Sequence, residues 1–284
     1  MNGLAMESII KQCLIEDIGT GDITTDSLVP QTAVAKGIIH AKQPGVIAGI
    51  TVAETVFKQI DKNLVFTAKV KDGEQVNAGT VLAEIEGSAR GILSGERLAL
   101  NFLQRMSGIA SFTFKLAERI RGYKAKIVDT RKTTPGLRMF EKYAVTMGGG
   151  FNHRFGLYDG VLIKDNHIQV AGGIAQAILA VKERLPHMVK IEVEVEDIAG
   201  VKEALEAGAD IIMLDNMSEG RMREAVQLIA GRAIVEASGG MDENKLVAAA
   251  KAGVDIISVG ALTHSYTAMD ISLDIGQIKV GNEE

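Results

Sequence analysis

From residue 125 onward, short apolar runs alternate with stretches in which apolar residues recur at helical spacing. This alternation is typical of parallel β-α-β units, because strands and helices differ in hydrophobic period. Helices are predicted over residues 198–207 and 243–252, and Gly208 and Gly253 are placed to end them. Strands are predicted over residues 125–129, 161–164, 189–195, 211–214, 233–237 and 256–259.

The first third of the chain has a different pattern. Between residues 34 and 87, short β-like runs are separated by Gly, Asp and Asn, which favour turns. From residue 94 to about residue 121, apolar residues such as Leu98, Phe102 and Met106 recur at helical spacing, and Gly108 is predicted to interrupt this helix. A mixed α/β unit is therefore expected to precede the β-α-β units.

Polar residues and glycines recur where the predicted strands end. Glu194, Asp215, Ser238 and Gly260 are separated by 21, 23 and 22 residues, about the length of one strand plus one helix. In a parallel α/β barrel, the carboxyl ends of the strands form the rim where catalysis takes place. An open doubly wound sheet also binds ligands there, but no G-x-G-x-x-G sequence follows the first predicted strand. An incomplete barrel of about six or seven strands is predicted, since the available length is short for eight β-α units.

Composition narrows the possible functions. The 284 residues are 46% hydrophobic and carry a net charge of −5, so no overall positive field attracts nucleic acid or acidic membranes. The single cysteine, Cys13, rules out an internal disulfide and a cysteine-cluster zinc site. No uncharged apolar run reaches membrane-spanning length, and charges occupy the place of a signal peptide's apolar core. A soluble, cytoplasmic protein without nucleic-acid or membrane partners is expected.

Cations are concentrated in residues 129–168 although the chain is acidic. Several of them follow apolar, strand-like runs, a position from which a side chain points into the protein. Buried cations need partners, so the sequence predicts a cleft for a small ligand with several negative charges. His153 is predicted to contact this ligand, whereas a helix cap and a functional role stay equally open for His167. The cations are Arg131, Lys132, Arg138, Lys142, Arg154 and Lys164.

Glycine-containing turns follow the last two predicted strands. Glycine lets backbone amides approach an anion closely, and a following helix N-terminus favours negative charge. Because barrel enzymes commonly bind phosphate at these two loops, a phosphate site is predicted, with His264 within reach of the anion. The turns comprise Ser238, Gly239 and Gly240, and then Gly260 and Ala261.

Acidic residues alternate along the strand predicted at residues 189–195. Glu192, Glu194 and Glu196 share one face, where a carboxylate needs a cation or a metal ion. Glu194 is in step with Asp215, and this pair is suited to hold Mg²⁺ or to stabilise a developing sugar cation. For Glu192 and Glu196, a structural salt bridge with Lys190, Lys164 or Arg154 stays the alternative. No nucleophile with an adjacent base is evident, which favours displacement at a sugar carbon bearing pyrophosphate.

These motifs together resemble the quinolinate phosphoribosyltransferase family, also called nicotinate-nucleotide pyrophosphorylase (carboxylating). The resemblance covers nearly the whole chain, with many separate motifs in the expected order. One departure is Met147, where a cysteine is expected before the glycines. The motifs are residues 16–25 (EDIGTGDITT), 95–103 (GERLALNFL), 130–136 (TRKTTPG), 152–154 (NHR), 162–168 (LIKDNHI), 192–194 (EVE), 214–216 (LDN) and 236–240 (EASGG).

The resemblance implies a fold of two domains and a homodimer. Residues 1–107 are expected to form an N-terminal α/β sandwich completed by residues 268–284, and residues 108–267 an open α/β barrel. In such a dimer, or in a hexamer built of three dimers, the sandwich of one subunit covers the barrel mouth of the other. Arg97 is the residue that the resemblance places across this shared active site.

The resemblance also implies a reaction: quinolinate and phosphoribosyl pyrophosphate give nicotinate mononucleotide, pyrophosphate and CO₂, with Mg²⁺, in NAD biosynthesis. The implied catalytic residues are Lys132, Lys164, Glu194 and Asp215. The quinolinate carboxylates are assigned to Arg131, His153, Arg154 and Lys164, with Lys132 near them or near the pyrophosphate. The ribose hydroxyls and Mg²⁺ are assigned to Glu194 and Asp215. The 5-phosphate is assigned to Ser238, Gly239, Gly240, Gly260, Ala261 and His264.

Three alternatives remain open. A molybdenum-transport-associated relative shares the fold, and the intact residues 152–154 and 163–167 argue against it. A phosphoribosyltransferase that uses nicotinate would not need so many cations for one carboxylate. A non-catalytic phosphosugar-binding protein would leave Lys164, Glu194 and Asp215 unexplained at aligned strand ends.

Overall fold

The computed structural model describes residues 1–276 and 279–280. Its helices are α1 (Gly3–Ile18), α2 (Ile23–Leu28), α3 (Ile50–Ile60), α4 (Ala89–Arg119), α5 (Arg138–Met147), α6 (Asp165–Ala171), α7 (Ile174–Lys182), α8 (Ile198–Glu206), α9 (Glu219–Ile229), α10 (Glu243–Ala252) and α11 (Ala261–His264). Its strands are β1 (Ala33–Ala41), β2 (Gly45–Val46), β3 (Val65–Ala68), β4 (Gln75–Val76), β5 (Val81–Ser88), β6 (Lys126–Val128), β7 (Val161–Ile163), β8 (Ile191–Val195), β9 (Ile211–Asp215), β10 (Ile234–Ser238), β11 (Ile256–Ser258), β12 (Ile271–Ile275) and β13 (Lys279–Val280).

The chain divides into two compact units. The first consists of Met1–Phe114, Pro135–Gly149 and the residues from Tyr266 onward. The second consists of Lys115–Thr134 and Gly150–Ser265. The predicted limits at residues 107 and 267 stay predictions, and the segment 135–149 belongs to the first compact unit.

An antiparallel sheet in the order β12-β1-β5-β3, with β13 paired to β1, forms the centre of the first unit. Alternate residues of β1 are buried, among them Ala33, Ile39 and Ala41, because successive side chains of a strand point to opposite faces. Helices contribute further core residues, such as Phe57 of α3 and Leu103 of α4. This arrangement confirms the predicted α/β sandwich.

The long helix α4 runs without interruption, so the predicted break at Gly108 is wrong. A Cβ atom at Gly108 would lie 2.3 Å from the carbonyl oxygen of Thr267. Glycine is therefore needed for the close approach of the chain at Thr267, and it costs the helix only about 1 kcal/mol relative to alanine. Burial of residues such as Ala99 and Met106 holds the helix together through this point.

The second unit contains a parallel sheet in the order β6-β11-β10-β9-β8-β7, with helices in the connections. All six strands lie where the hydrophobic pattern predicts them, and Val193, Ile212, Val235 and Ile257 of the central strands are buried. In the described part of the chain, β6 and β7 form the two edges of this sheet. The barrel is therefore open, which confirms the predicted fold class.

The last described strand belongs to the first unit. β12 pairs antiparallel with β1, with Ile275 opposite Gly37 and Ile271 opposite Ala41. Residues 277–278 and 281–284 of the predicted C-terminal completion lie outside the described residues. Within the described residues, none of the helices combines the length and the apolar character that crossing a membrane requires.

Candidate active site

The second unit has a cavity of about 670 Å³ at the carboxyl ends of its parallel strands. This volume is in the range of small-ligand sites. Arg97 lies on α4 in the first unit. Two of the predicted cations of the cleft, Arg138 and Lys142, do not line the cavity but lie on α5 in the first unit. The remaining predicted site residues line the cavity: Arg131, Lys132, His153, Arg154, Lys164, Glu194, Asp215, Ser238, Gly239, Gly240, Gly260, Ala261 and His264.

Two arginines of the cavity lie close enough to influence each other. Burial, followed by the positive charge of Arg131, lowers the pKa of Arg154. The Arg154 side chain donates from Nη1 to the carbonyl oxygen of Gly160 at 3.2 Å, which fixes its direction. Two neighbouring guanidinium groups can each bind a carboxylate in a bidentate manner. The pair is therefore suited to an anion that carries two carboxylates.

Lys132 lies in the turn after β6 and is held against the loop after β11. Its carbonyl oxygen accepts a hydrogen bond from Thr263 Oγ1 at 2.6 Å, and its backbone amide donates to Thr130 Oγ1 at 3.0 Å. A Cβ atom at Gly260 would lie 3.0 Å from Lys132 Cδ and 3.2 Å from His264 Nε2. Glycine at position 260 therefore leaves room for the lysine and the histidine to line the cavity together.

Lys164 connects strand β7 to helix α6 and forms an ion pair with Glu194 of β8. The backbone amide of Lys164 donates to His167 Nδ1 at 3.0 Å. His167 thus caps helix α6, the structural one of its two predicted roles. The ion pair also means that Glu194 already has a cationic partner in the cavity.

Asp215 ends strand β9 and is held by its neighbour Asn216, whose Nδ2 donates to Asp215 Oδ2 at 2.7 Å. The backbone of Asn216 has a left-handed φ of 52°, and its amide donates to the carbonyl oxygen of Ser238 at 3.1 Å. A Cβ atom at Gly239 would lie 2.3 Å from Asn216 Oδ1. The loops after β9 and β10 therefore pack directly against each other. Asn216 had no predicted role, although it lies in the motif LDN at residues 214–216.

The two predicted phosphate turns both line the cavity, and their phosphate-binding role stays a prediction. Gly239 and Gly240 have φ values of +101° and +52°, in the region that favours glycine. The side chain of Asp242 caps helix α10 by accepting from the amides of Asn244 and Lys245 at 2.9 and 2.8 Å. These amides are therefore already satisfied, and an anion in the cavity is left to the glycine backbone and nearby cations.

A cluster of His153, Glu192 and Glu236 lies in the wall of the cavity, which His153 and Glu236 both line. His153 Nε2 lies 3.0 Å from Glu192 Oε2 and 3.5 Å from Glu236 Oε1. Glu192 and Glu236 are only 3% and 1% exposed, so the two carboxylates are almost completely enclosed. The partner of Glu192 is thus His153, and not the lysine or arginine partners proposed for it. Glu236 had no predicted role, although it is the first residue of the motif EASGG at residues 236–240.

Two members of the cluster, His153 and Glu192, have raised pKa values. Burial opposes the charge on His153, but the two carboxylates outweigh it and raise the pKa of His153 to about 10. Burial, above all, also raises the pKa of Glu192. His153 Nδ1 accepts the backbone N–H of Arg154 at 2.7 Å, which requires a lone pair at that nitrogen. The N–H of the ring is therefore at Nε2, which faces the two carboxylates.

Two family models and several known relatives match this chain over most of its length. The model for the N-terminal domain of quinolinate phosphoribosyl transferase matches residues 22–107, and the model for its C-terminal domain matches residues 109–274. A probable nicotinate-nucleotide pyrophosphorylase [carboxylating] of Bacillus subtilis is 45% identical over 97% of this chain and 95% of its own length. A mitochondrial quinolinate phosphoribosyltransferase [decarboxylating] of Nicotiana tabacum is 42% identical over 95% of this chain and 82% of its own length.

Solved structures agree with these matches. The crystal structure of NadC from Streptococcus pyogenes has a TM-score of 0.94 and 41% identity, with 99% of each chain covered. The nicotinate-nucleotide pyrophosphorylase from Francisella tularensis has a TM-score of 0.93 and 42% identity, with 97% of this chain and 98% of that one covered. From the two domain matches and these relatives, the chain belongs to the quinolinate phosphoribosyl transferase family.

Proposed function

We infer that this chain transfers the phosphoribosyl group of phosphoribosyl pyrophosphate to quinolinate, with loss of CO₂, to give nicotinate mononucleotide and pyrophosphate. One observation carries the inference beyond family membership. A single cavity combines a pair of neighbouring arginines with two carboxylates, Glu194 and Asp215, at strand ends. The arginines suit the dicarboxylate, and the carboxylates suit the cationic sugar carbon that forms when pyrophosphate leaves.

Quinolinate is proposed to bind at Arg131 and Arg154, with Lys164 nearby. The two carboxylates of quinolinate are on adjacent ring atoms, so two adjacent guanidinium groups match them. Binding would neutralise the repulsion that lowers the pKa of Arg154. The ring nitrogen, which is the nucleophile, is thereby directed to the sugar and needs no base, because its lone pair is free at neutral pH.

Phosphoribosyl pyrophosphate is proposed to lie across the remaining wall of the cavity. The 5-phosphate is assigned to the turns at Gly239 and Gly260, where the backbone allows close approach. The pyrophosphate is assigned to Lys132, held between the loops after β6 and β11. This arrangement leaves the anomeric carbon near the carboxyl ends of β8 and β9, where Glu194 and Asp215 lie.

The displacement is proposed to proceed through a cation-like sugar. The bond between the anomeric carbon and the pyrophosphate oxygen breaks, and the bond to the pyridine nitrogen forms. Glu194 and Asp215 stabilise the positive charge electrostatically, and a single preorganised group of this kind is typically worth about 3–4 kcal/mol. The bond to the carboxylate next to the pyridinium nitrogen then breaks. Its electron pair stays on the ring carbon, which takes up a proton as CO₂ leaves.

Mg²⁺ is proposed as the metal ion that accompanies phosphoribosyl pyrophosphate. The donor set fits, because carboxylate oxygens are the protein ligands that Mg²⁺ prefers. Asp215 is the better placed of the two acidic residues, since its structural partner is the neutral amide of Asn216, whereas Glu194 is paired with Lys164. The ion would neutralise charge on the phosphates.

A homodimer, or a hexamer of three dimers, is proposed as the functional assembly, with Arg97 contributed by the partner subunit. The support is the family resemblance, which places Arg97 across a shared active site; in this chain Arg97 lies on α4 of the first unit. A cytoplasmic location is proposed from the composition, with its single cysteine and net negative charge.

The test is release of labelled CO₂ from quinolinate carrying the label in its 2-carboxylate. Release that requires both phosphoribosyl pyrophosphate and Mg²⁺ is the expected result. Binding of phosphoribosyl pyrophosphate without release would refute the proposed reaction and favour the molybdenum-transport-associated relative or a binding protein.

A further inference from the structure

The side chain of Thr263 links two loops of the candidate active site. Its Oγ1 donates to the carbonyl oxygen of Lys132 at 2.6 Å, and the two residues are 131 positions apart in the chain. Thr263 is only 1% exposed, while Ala261 and His264 of the same turn line the cavity. The hydroxyl group therefore reaches Lys132 from within the protein and not from the side on which substrates bind.

The backbone of Lys132 follows a turn that does not belong to the sheet. The N–H of Thr133 donates to the carbonyl oxygen of Arg131 at 2.9 Å, which makes Lys132 the central residue of a γ-turn. Before this turn, the N–H of Asp129 donates to the carbonyl oxygen of Phe151 at 3.1 Å. The chain has thus separated from β11 before it reaches Lys132, so contacts outside the sheet have to fix the backbone of the lysine.

The side chain of Lys132 is exposed, and its direction therefore depends on the backbone that carries it. It runs past the turn that contains Thr263, because a Cβ atom at Gly260 would lie 3.0 Å from Lys132 Cδ. The turn after β11 thus contacts Lys132 at two places. The hydroxyl of Thr263 holds the carbonyl group, and Gly260 leaves room for the aliphatic chain.

We propose that Thr263 is a positioning residue for Lys132, to which the proposed function assigns the pyrophosphate of phosphoribosyl pyrophosphate. The inference rests on that function and deepens it. A hydrogen bond to the carbonyl oxygen of Lys132 fixes the peptide plane that follows the lysine, and with it the direction in which the side chain leaves the backbone. Thr263 does not touch the substrate and acts through Lys132.

Local bonding does not account for this contact. A threonine in a short helix can satisfy its hydroxyl group with the carbonyl oxygen three or four residues earlier. Here that oxygen belongs to Gly260 and lies 3.3 Å from Thr263 Oγ1, whereas the oxygen of Lys132 lies at 2.6 Å. The Gly260 oxygen also accepts the backbone N–H of Thr263 at 3.2 Å, which closes the turn by itself. The hydroxyl group therefore serves Lys132 first.

The first experiment isolates the hydroxyl group with two pairs of proteins. Thr263→Val differs from the wild type by a methyl group in place of the hydroxyl, and Thr263→Ala differs from Thr263→Ser by the oxygen alone. In each pair we expect loss of the hydroxyl to raise KM for phosphoribosyl pyrophosphate about five- to tenfold, the value of one hydrogen bond, and KM for quinolinate less than about twofold. The second pair keeps the test valid if valine disturbs the fold. Unchanged KM for phosphoribosyl pyrophosphate, or equal increases in both KM values, would overturn the proposal.

The second experiment asks whether Thr263 acts through the lysine. Thr263→Val is combined with Lys132→Met, and kcat/KM for phosphoribosyl pyrophosphate is measured for the single and double variants. Residues that act through each other are not additive, so in the Lys132→Met protein the valine should cost less than about a further twofold. A further loss as large as the one in the wild type would show a role independent of Lys132, and the proposal would fail.

Thr113→Val is the matched control for removal of a buried hydroxyl group. Thr113 is 0% exposed, and its Oγ1 donates to the carbonyl oxygen of Ile109 at 2.8 Å within α4. This variant should melt at a lower temperature but keep both KM values within about twofold of the wild type. The same rise in KM for phosphoribosyl pyrophosphate as in Thr263→Val would attribute the effect to general destabilisation and overturn the proposal.

Turnover of quinolinate by the wild type is measured before the variants are compared. No turnover refutes the proposed function. Turnover with an unchanged KM for phosphoribosyl pyrophosphate in both hydroxyl pairs refutes only the role of Thr263.

Discussion

Position 239 requires glycine for two reasons, its backbone conformation and its close contact with Asn216. Its φ of +101° is unfavourable for any residue with a Cβ atom, and such an atom would lie 2.3 Å from Oδ1, 2.5 Å from Cγ and 2.7 Å from the backbone nitrogen of Asn216. The side chain of Asn216 can move away, but its backbone is tied to Ser238 by a hydrogen bond. Gly239→Ala is therefore expected to strain the backbone and to displace Asn216 together.

The two effects can be given magnitudes. A side-chain-bearing residue held at such a φ costs about 1–3 kcal/mol, and overpacking against fixed atoms typically adds about 1–3 kcal/mol. The sum is about 2–6 kcal/mol. Displacement of Asn216 also removes the 2.7 Å hydrogen bond to Asp215, which lines the cavity. We therefore expect KM for phosphoribosyl pyrophosphate to rise about tenfold, the equivalent of about 1.4 kcal/mol.

Gly231→Ala is the matched control. Gly231 has a φ of +77° in the same unit, and a Cβ atom there would meet no other atom within 4 Å. It therefore carries the backbone strain without the collision. By thermal unfolding, Gly239→Ala should melt below Gly231→Ala by roughly 2–12 °C, the range that about 1–3 kcal/mol produces in a chain of this size. Equal melting temperatures, or an unchanged KM for phosphoribosyl pyrophosphate in Gly239→Ala, would refute the packing argument.

Three other predictions concern the site. Arg131→Ala should raise KM for quinolinate by about tenfold or more, and KM for phosphoribosyl pyrophosphate by less, because a bidentate clamp is lost; equal losses in steady-state kinetics would contradict the assignment. In Mg²⁺ titrations of activity, Asp215→Asn should need more Mg²⁺ than Glu194→Gln, since only the glutamate already has a lysine partner; the reverse order would place the metal at Glu194. Arg97→Ala should abolish activity, and mixed dimers of Arg97→Ala with Asp215→Asn should regain part of it; mixed dimers without activity would exclude a shared site.

The fold was predictable from sequence to the extent that local patterns determine it. Each strand of the parallel sheet is a short apolar run, and its length and spacing follow from the alternation with helices. Gly108 was misjudged because glycine in a helical pattern usually marks an end, and only the chain that passes at Thr267 explains its presence inside α4. A contact between residues so distant in sequence leaves no local pattern.

The residue types that form the candidate site were predictable from the sequence, whereas the ion-pair and hydrogen-bond partners of these residues were less predictable. Lys164 and Glu194 were both placed at strand ends, and their ion pair follows from that placement. The partner of Glu192 was not predictable, since alternation along β8 tells which face it shares but not which loop returns to cover that face. His153 arrives there from the segment between α5 and β7, and Glu236 from a strand that is two positions away in the sheet.

Strand register explains why regular spacing in the sequence produces a site with two levels. Glu194 is opposite Met213, and Met213 is opposite Glu236, whereas Asp215 is opposite Ser238. Asp215 and Ser238 therefore lie two residues nearer the rim than Glu194 and Glu236. The upper level presents groups suited to the sugar and its phosphate. The lower level holds Glu194 and Glu236, which pair with Lys164 and His153. Lys164 and His153 are therefore already held in place before the substrates bind.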